Sequence, residues 1–290
     1  YSSAGSGNQY GGGVYITGSN NVIKNSTVGW NQLSGQENIQ GAGLCVTGSA
    51  VDSIRNNLIL YNTAVFANGG GIHLESPANL YGNSISDNTA NNGGGLYVSN
   101  SSAIIDYNTI TGNTVYNTGG AVYCAGYSPV IERNIITYND VTEGSPGIGG
   151  IYGDPGTLEQ NNIYHNDSFE LEKTDLTDSS YPLNWWRTRS DQDYIDSEIY
   201  DGDDCNGCVG IVDYDPYLVT PSTETPGQMT VVNEIVLKTD STFTEINSDG
   251  VEEGGSLFIE LEGEDGNPYS IDMTAVYILN MTSWEMLYPL

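Results

Sequence analysis

Basic residues are scarce in this sequence: 7 lysines and arginines stand against 37 aspartates and glutamates, a formal net charge of −30. Nucleic acid and anionic membrane surfaces would be repelled, so neither is an expected partner. No run of about 18 apolar residues occurs, and no membrane-spanning helix is predicted. Histidine appears only as His73 and His165, and cysteine four times. Cys205-x-x-Cys208 has no second Cys/His pair to complete a zinc site, so a local disulfide is the expectation. The chain opens at Tyr1 without a methionine, which predicts that a leader has been removed or that the sequence is a trimmed piece. Little lysine, much Asn, Ser, Thr and Gly, and 21 tyrosines together predict an extracellular or cell-surface protein.

What is present is repetition. Glycine-led starts fall at Gly11, Gly41, Gly69, Gly93, Gly119 and, less purely, Ile148. A second register is tighter: aliphatic-x-x-Asn-x-aliphatic-x-x-Asn recurs as Ile54/Asn57/Ile59/Asn62, Leu80/Asn83/Ile85/Asn88 and Ile105/Asn108/Ile110/Asn113. It continues as Ile131/Asn134/Ile136/Asn139 and Leu158/Asn161/Ile163/Asn166, after a first copy with Ser26 in place of asparagine. A fixed period of this size marks a solenoid. Runs such as Ile72-His73-Leu74 and Leu96-Tyr97-Val98 alternate with period two, as half-buried strands do. No helical period appears, which removes leucine-rich and helical repeats. Coils of about 25 residues with short strands describe a parallel β-helix. In stacked coils each Asn amide sits over the next, so both asparagine series are expected as structural ladders.

The repeat resembles the right-handed parallel β-helix proteins of the pectate-lyase-like superfamily, in the secreted and surface type with Gly-Gly-Gly-Ile-Tyr and Ile-x-x-Asn coils. Gly119-Gly120-Ala121-Val122-Tyr123 with Ile131-x-x-Asn134 is also similar to repeats of polymorphic outer-membrane adhesins. Right-handedness is what the resemblance implies. It covers about residues 8–168 and implies fold far more than activity, since lyases, hydrolases, epimerases, phage spikes and adhesins share it.

The expected fold class is therefore all-β: about six coils over 1–168, a cap segment over 169–218, a linker over 219–229, and a small β-sandwich over 230–290. The segment from Pro182 to Leu218 resembles the closing element of bacterial and archaeal β-helix proteins, in which Asn-Trp-Trp-Gly precedes an acidic turn. Asn184, Trp185 and Trp186 match, while Arg187 stands where glycine is usual. An open solenoid end exposes an unpaired edge and core, and two tryptophans suit the task of covering it. "VTPSTETPGQM" reads as a linker. The strand-like runs beyond it are too few for a full immunoglobulin-like sandwich, so the module is expected to be incomplete alone and to pair with another chain.

Candidate chemistry lies in two columns. The residues after each ladder aliphatic run Lys24, Arg55, Tyr81, Asp106, Glu132, Glu159. Asp106, Glu132 and Glu159 would stack about 4.8 Å apart with Arg133 beside them, an arrangement that shifts a pKa or recruits Ca²⁺. A polysaccharide lyase or a glycoside hydrolase would use such carboxylates; a solvated face is the plainer reading. The second column, Tyr15, Cys45, His73, Tyr97, Tyr123, Tyr152, is expected to project outward, as a glycan-stacking platform or as a self-stabilising aromatic stack. Cys45 and Cys124 fall three rungs apart, about 14 Å, too far for a disulfide. The expected function is a structural or adhesive subunit that self-assembles into a homo-oligomer or filament; the alternatives are a polysaccharide-binding module and a carbohydrate-active enzyme.

Overall fold

In the computed structural model the described residues are 9–18, 20–33, 39–48, 52–99, 103–187, 192–205 and 208–226. To these add the backbone strands Val232–Thr239, Thr244–Glu245, Leu257–Gly263, Val276–Asn280 and Ser283–Leu287. The chain divides into two units, Tyr1–Gln228 and Met229–Leu290.

The first unit is a parallel solenoid of about six turns, with four stacked strands per turn. In the fifth turn these are Val122–Cys124, Val130–Glu132, Ile135–Thr137 and Asp140–Val141; the sheets they belong to are called faces one to four. Faces two and three each hold six rungs, and face one holds eight because two cap strands, Leu171–Glu172 and Ile199–Tyr200, extend it. Every pairing along these faces is parallel and in register, as in Ile72↔Leu96, Ile85↔Ile110 and Leu80↔Ile105. One aliphatic from each short strand points inward. Ile54, Leu80, Ile105, Ile131 and Leu158 form one interior column, and Ile59, Ile85, Ile110, Ile136 and Ile163 another, all essentially fully buried.

Two corners per turn are made the same way. A residue in the left-handed region precedes each ladder asparagine: Asn56, Gly82, Tyr107, Arg133 and Gln160 at the first corner, and Tyr61, Asp87, Gly112, Tyr138 and His165 at the second. That conformation turns the chain sharply and aims the next side chain inward. Asn57, Asn83, Asn108, Asn134 and Asn161 are at most 2% exposed, as are Asn62, Asn88, Asn113 and Asn139, with Asn166 at 7%. Each Oδ1 accepts two bonds from the preceding turn, except that of Asn57, which faces Ser26 and accepts its backbone N–H alone. Asn108 Oδ1 receives the Asn83 backbone N–H and its Nδ2, both at 2.9 Å. Each Nδ2 also donates back across the stack, as Asn108 does to the Leu80 carbonyl at 3.0 Å. At the third corner glycine does the turning: Gly93 has φ of 62°. A Cβ at Gly95 would lie 2.7 Å from the Ala121 carbonyl, so no side chain fits beneath the next turn.

The stack closes at the cap. The first ladder runs one turn further than the repeat predicts, because Asn184 Oδ1 accepts both Asn161 donors at 3.0 Å. The second ladder ends on a carboxyl group: Glu170, 1% exposed, takes the place of the next asparagine beneath Asn166. Of the two tryptophans expected to cover the core, Trp186 (1% exposed) does so, whereas Trp185, buried on the outer side beside Asn162, meets Tyr164 edge-on at 5.0 Å. Arg187 has φ of 108°, a conformation that favours glycine, and its guanidinium bonds the Tyr194 hydroxyl at 2.8 Å. The described helix of the cap, Gln192–Ser197, packs Ile195 inward.

The segment expected as a free linker lies against face three as far as it is described. The Asn162 side chain donates to the Ser222 carbonyl and the Thr225 hydroxyl at 3.2 and 2.9 Å, and accepts the Ser222 N–H at 2.7 Å. An outward amide on the last rung pairs with a passing main chain as another peptide group would.

In the second unit Val232–Thr239 pairs antiparallel with Leu257–Gly263 and Thr244–Glu245, and Val276–Asn280 forms a hairpin with Ser283–Leu287. The β-sandwich expectation concerns residues 230–290 as a packed module, and that packing lies outside the described residues.

Two stability predictions follow from the ladders. Asn108→Ala strands the two Asn83 donors and a buried carbonyl, so unfolding free energy falls by about 2–4 kcal/mol. Asn92→Ala, in the more exposed outer row Asn68–Asn92–Asn117, costs under about 1 kcal/mol in the same chemical melt. Burial pushes Glu170 up to about 8, with Glu198 adding to the effect and the Asn166 donors and Arg187 opposing it. The folded chain then keeps a proton that the unfolded chain has released. The share of stability contributed by Glu170 should be fully present below about pH 4.5 and fall by up to about 1.4 kcal/mol per unit as pH rises toward 8. Glu170→Gln keeps an acceptor without a charge, and melts at pH 5 and pH 8 should show that share of the slope removed.

Candidate functional site

The outer column of face two is in register as expected: Lys24↔Arg55, Arg55↔Tyr81, Tyr81↔Asp106, Asp106↔Glu132 and Glu132↔Glu159. Its chemistry is not three free carboxylates. Arg133 projects from the left-handed corner of the next turn and grips Asp106 with both nitrogens, Nε–Oδ1 at 2.8 Å and Nη2–Oδ2 at 2.6 Å. That fork is the strong geometry for a guanidinium and a carboxylate. Donating to the Asp106 carboxylate holds the Arg133 pKa above its ordinary value, with burial opposing. Glu132 and Glu159 follow at one carboxylate per rung. Among the described residues no three His, Cys, Asp or Glu side chains converge as a metal site, so the calcium expectation finds no ligand set in this column.

The face-one column is a continuous ring stack. His73 lies 4.8 Å from Tyr97, Tyr97 lies 5.0 Å from Tyr123, and Tyr123 lies 4.9 Å from Tyr152, with interplanar angles of 9–23°. The faces a sugar would stack on are therefore turned toward one another along the column. His73 is not the solvent-facing residue expected: it is 2% exposed, with Nε2 3.4 Å from Glu75 and Nδ1 3.4 Å from the Asn68 carbonyl. Cys45 in the same column is fully buried, and burial raises its pKa to about 12. Tyr15, at the first rung, is 44% exposed. Burial raises the phenols of Tyr97, Tyr123 and Tyr152.

Cys205 and Cys208 are bonded to each other in the acidic turn of the cap. Asp201 organises the rest of that turn, accepting the Asp203 and Val212 amides at 2.9 and 2.6 Å. Cys45 and Cys124 are free and buried.

Three features are not legible from the repeat. Lys173 is 1% exposed on its side chain, yet its ammonium bonds Asp154, Asp175 and Ser179 at 2.8, 2.5 and 2.9 Å. Burial works against the charge, but the two aspartates outweigh it and the Lys173 pKa is raised. The cluster ties the first cap strand to the last full turn. Its only sequence signal is a lysine among acids in "LEKTDLTD". The continuation of the first ladder at Asn184 is the second; the signal was the shared Asn before the paired tryptophans. The third is a set of solvent-facing aromatics away from face one. Trp30, 70% exposed, stacks on Tyr61 at 5.6 Å, and Tyr81 stacks on Tyr107 at 5.4 Å. Trp30, Tyr61 and Tyr107 all occupy left-handed corner positions, which direct the side chain outward.

Residues 6–140 match the family model described as the right handed beta helix region. No curated protein and no solved structure matches the chain. That match, with six turns of parallel strands stacked in register, makes the first unit a right-handed parallel β-helix of repeated coils.

Proposed function

We propose that this chain is an extracellular or cell-surface structural and adhesive protein, its solenoid a rigid scaffold and its C-terminal strands the element that joins neighbouring chains. One observation carries the reading: the side chains best suited to chemistry are engaged in holding the coil together. Asp106 is gripped by Arg133, His73 is sealed under Tyr97, and ten asparagines are spent on the ladders. A stack whose every turn repeats the same inward residues resists bending, which suits a spacer or fibre element more than a mobile catalyst.

For assembly the support is the antiparallel backbone of Val232–Thr239 with Leu257–Gly263. A short β module of this kind, rich in alternating apolar residues, gains most by adding a strand from a neighbour into a completed sandwich.

Size-exclusion chromatography over a concentration series, with negative-stain imaging of the same samples, tests the proposal. Filaments or discrete higher oligomers are expected from the whole chain and should vanish on truncation after Gln228. A monodisperse monomer at the highest concentration reached would sink the assembly reading.

A further inference from the structure

Charge along the outer column of face two is sorted by sign. Its rungs carry, in order, Lys24, Arg55, Tyr81, Asp106, Glu132 and Glu159. Asp106 is neutralised by the Arg133 fork of its own chain. What remains is a pair of cations at the first end, a pair of carboxylates at the other, and a neutral middle. Among the described residues no ion pair engages Lys24, Arg55, Glu132 or Glu159. Lys24 and Arg55 belong to a set of only 7 basic residues, yet they stack on adjacent rungs, where like charges repel. Glu132 and Glu159 do the same. The companion outward column, Val22, Ser53, Asn79, Ile104, Val130 and Thr157, is uncharged throughout. In it Val22 and Ile104 are 55 and 41% exposed.

A partner for this face must carry the reverse order of charge at the same rung spacing of about 4.8 Å. A polyanion would match the first two rungs and be repelled by the last two, and a polycation the opposite. The column read backwards is its own complement. A two-fold axis lying along the strands, between the rungs of Tyr81 and Asp106, sets Lys24 opposite Glu159 of a second copy. It likewise sets Arg55 opposite Glu132 and Tyr81 opposite Asp106. Each contact then occurs twice, as an isologous interface requires. The same rotation brings only neutral residues together in the companion column, covering Val22 with Thr157 and Ile104 with Asn79. It also places the acidic caps of the two copies at opposite ends of the pair. We infer that face two is the interface through which two copies of this chain pair side by side, with their solenoid axes antiparallel. Six rungs span about 24 Å, a small face of the kind that makes transient complexes rather than obligate ones. The pairing closes at two copies, is held by charge, and does not rest on assembly through the C-terminal strands.

Carbodiimide cross-linking of the whole chain tests it, because this reagent joins an amine to a carboxylate only where the two touch. Within one chain Lys24 and Glu159 occupy the first and last rungs of the column, about 24 Å apart. A Lys24–Glu159 amide found by peptide mass spectrometry is therefore made between copies. That link is expected at about 0.1 M salt, where a screening length of about 10 Å damps repulsion between the two net charges but spares groups in contact. It should fade at about 1 M. Arg55→Glu removes neither linked group but sets like charges against Glu132, and should cut the yield by about tenfold or more. Adding Glu132→Arg restores the complement and should restore the link. An unchanged far-ultraviolet spectrum verifies that each variant is folded. The proposal is overturned if no Lys24–Glu159 link forms at the highest concentration reached. It is equally overturned if Lys24 links instead to Glu132, as staggered parallel copies would require, if Arg55→Glu leaves the yield unchanged, or if the added Glu132→Arg fails to recover it.

Discussion

An amide placed inside a bend must find its partners directly above and below, and every other feature of this solenoid is arranged around that requirement. Each ladder asparagine accepts from one turn and donates to another, so two adjacent turns cannot slip by even one residue without stranding several buried donors. The distance between the two corners of a turn is accordingly constant: five residues separate Asn57 from Asn62, Asn83 from Asn88, and so on to Asn161 and Asn166. From Asn57 to Asn166 ladder partners lie 25 to 27 residues apart in sequence. The variation is therefore absorbed outside the pair of corners, chiefly between the second corner and the glycine corner, which are five residues apart from Asn88 to Gly93 and nine from Asn139 to Ile148. That is why glycine-led starts drift in spacing while the asparagine register does not.

A ladder also has to end, and each of the two ends differently. The first finds one more asparagine, Asn184, supplied by a segment that is no longer a repeat. The second finds Glu170, whose two oxygens take the donors that an amide oxygen would have taken. Burial favours the protonated form, which costs less to keep from water than a carboxylate. Beside it Lys173 brings a charge inside and satisfies it with Asp154, Asp175 and Ser179. Polar termination is thus achieved by residues that would be anomalous in any middle turn.

Periodicity explains what was readable and what was not. It reports which residues stack on which, so the strands, the core columns, both ladders and the register of Asp106, Glu132 and Glu159 could be read before any coordinates. It does not report lateral neighbours. That Arg133 reaches across a rung to Asp106, or that His73 is sealed although it projects from the outer side of its strand, depends on contacts between positions the repeat treats as independent. The cap has no second copy to compare with, so Glu170 and Lys173 carried no signal beyond their residue type. The strap shows the same limit. "VTPSTETP" has a linker's composition, and its docking turns on a contact the repeat does not announce, the outward amide of Asn162.

The division between inside and outside also bears on where function resides. Inward positions are committed to aliphatics and amides, and the outer face of sheet one to rings that cover each other. What remains variable is the outward pair on each rung of faces two and three and the left-handed corner residue beside it. Such positions recur about 4.8 Å apart along the axis, so a site built from them is a row rather than a pocket. A row offers little to a small molecule, which is held by enclosure, but it offers a polymer several modest contacts in series. Linked contacts add through effective concentration, and weak individual stacking then suffices for firm attachment. A stiff column that keeps its rungs in register is what holds such a row straight.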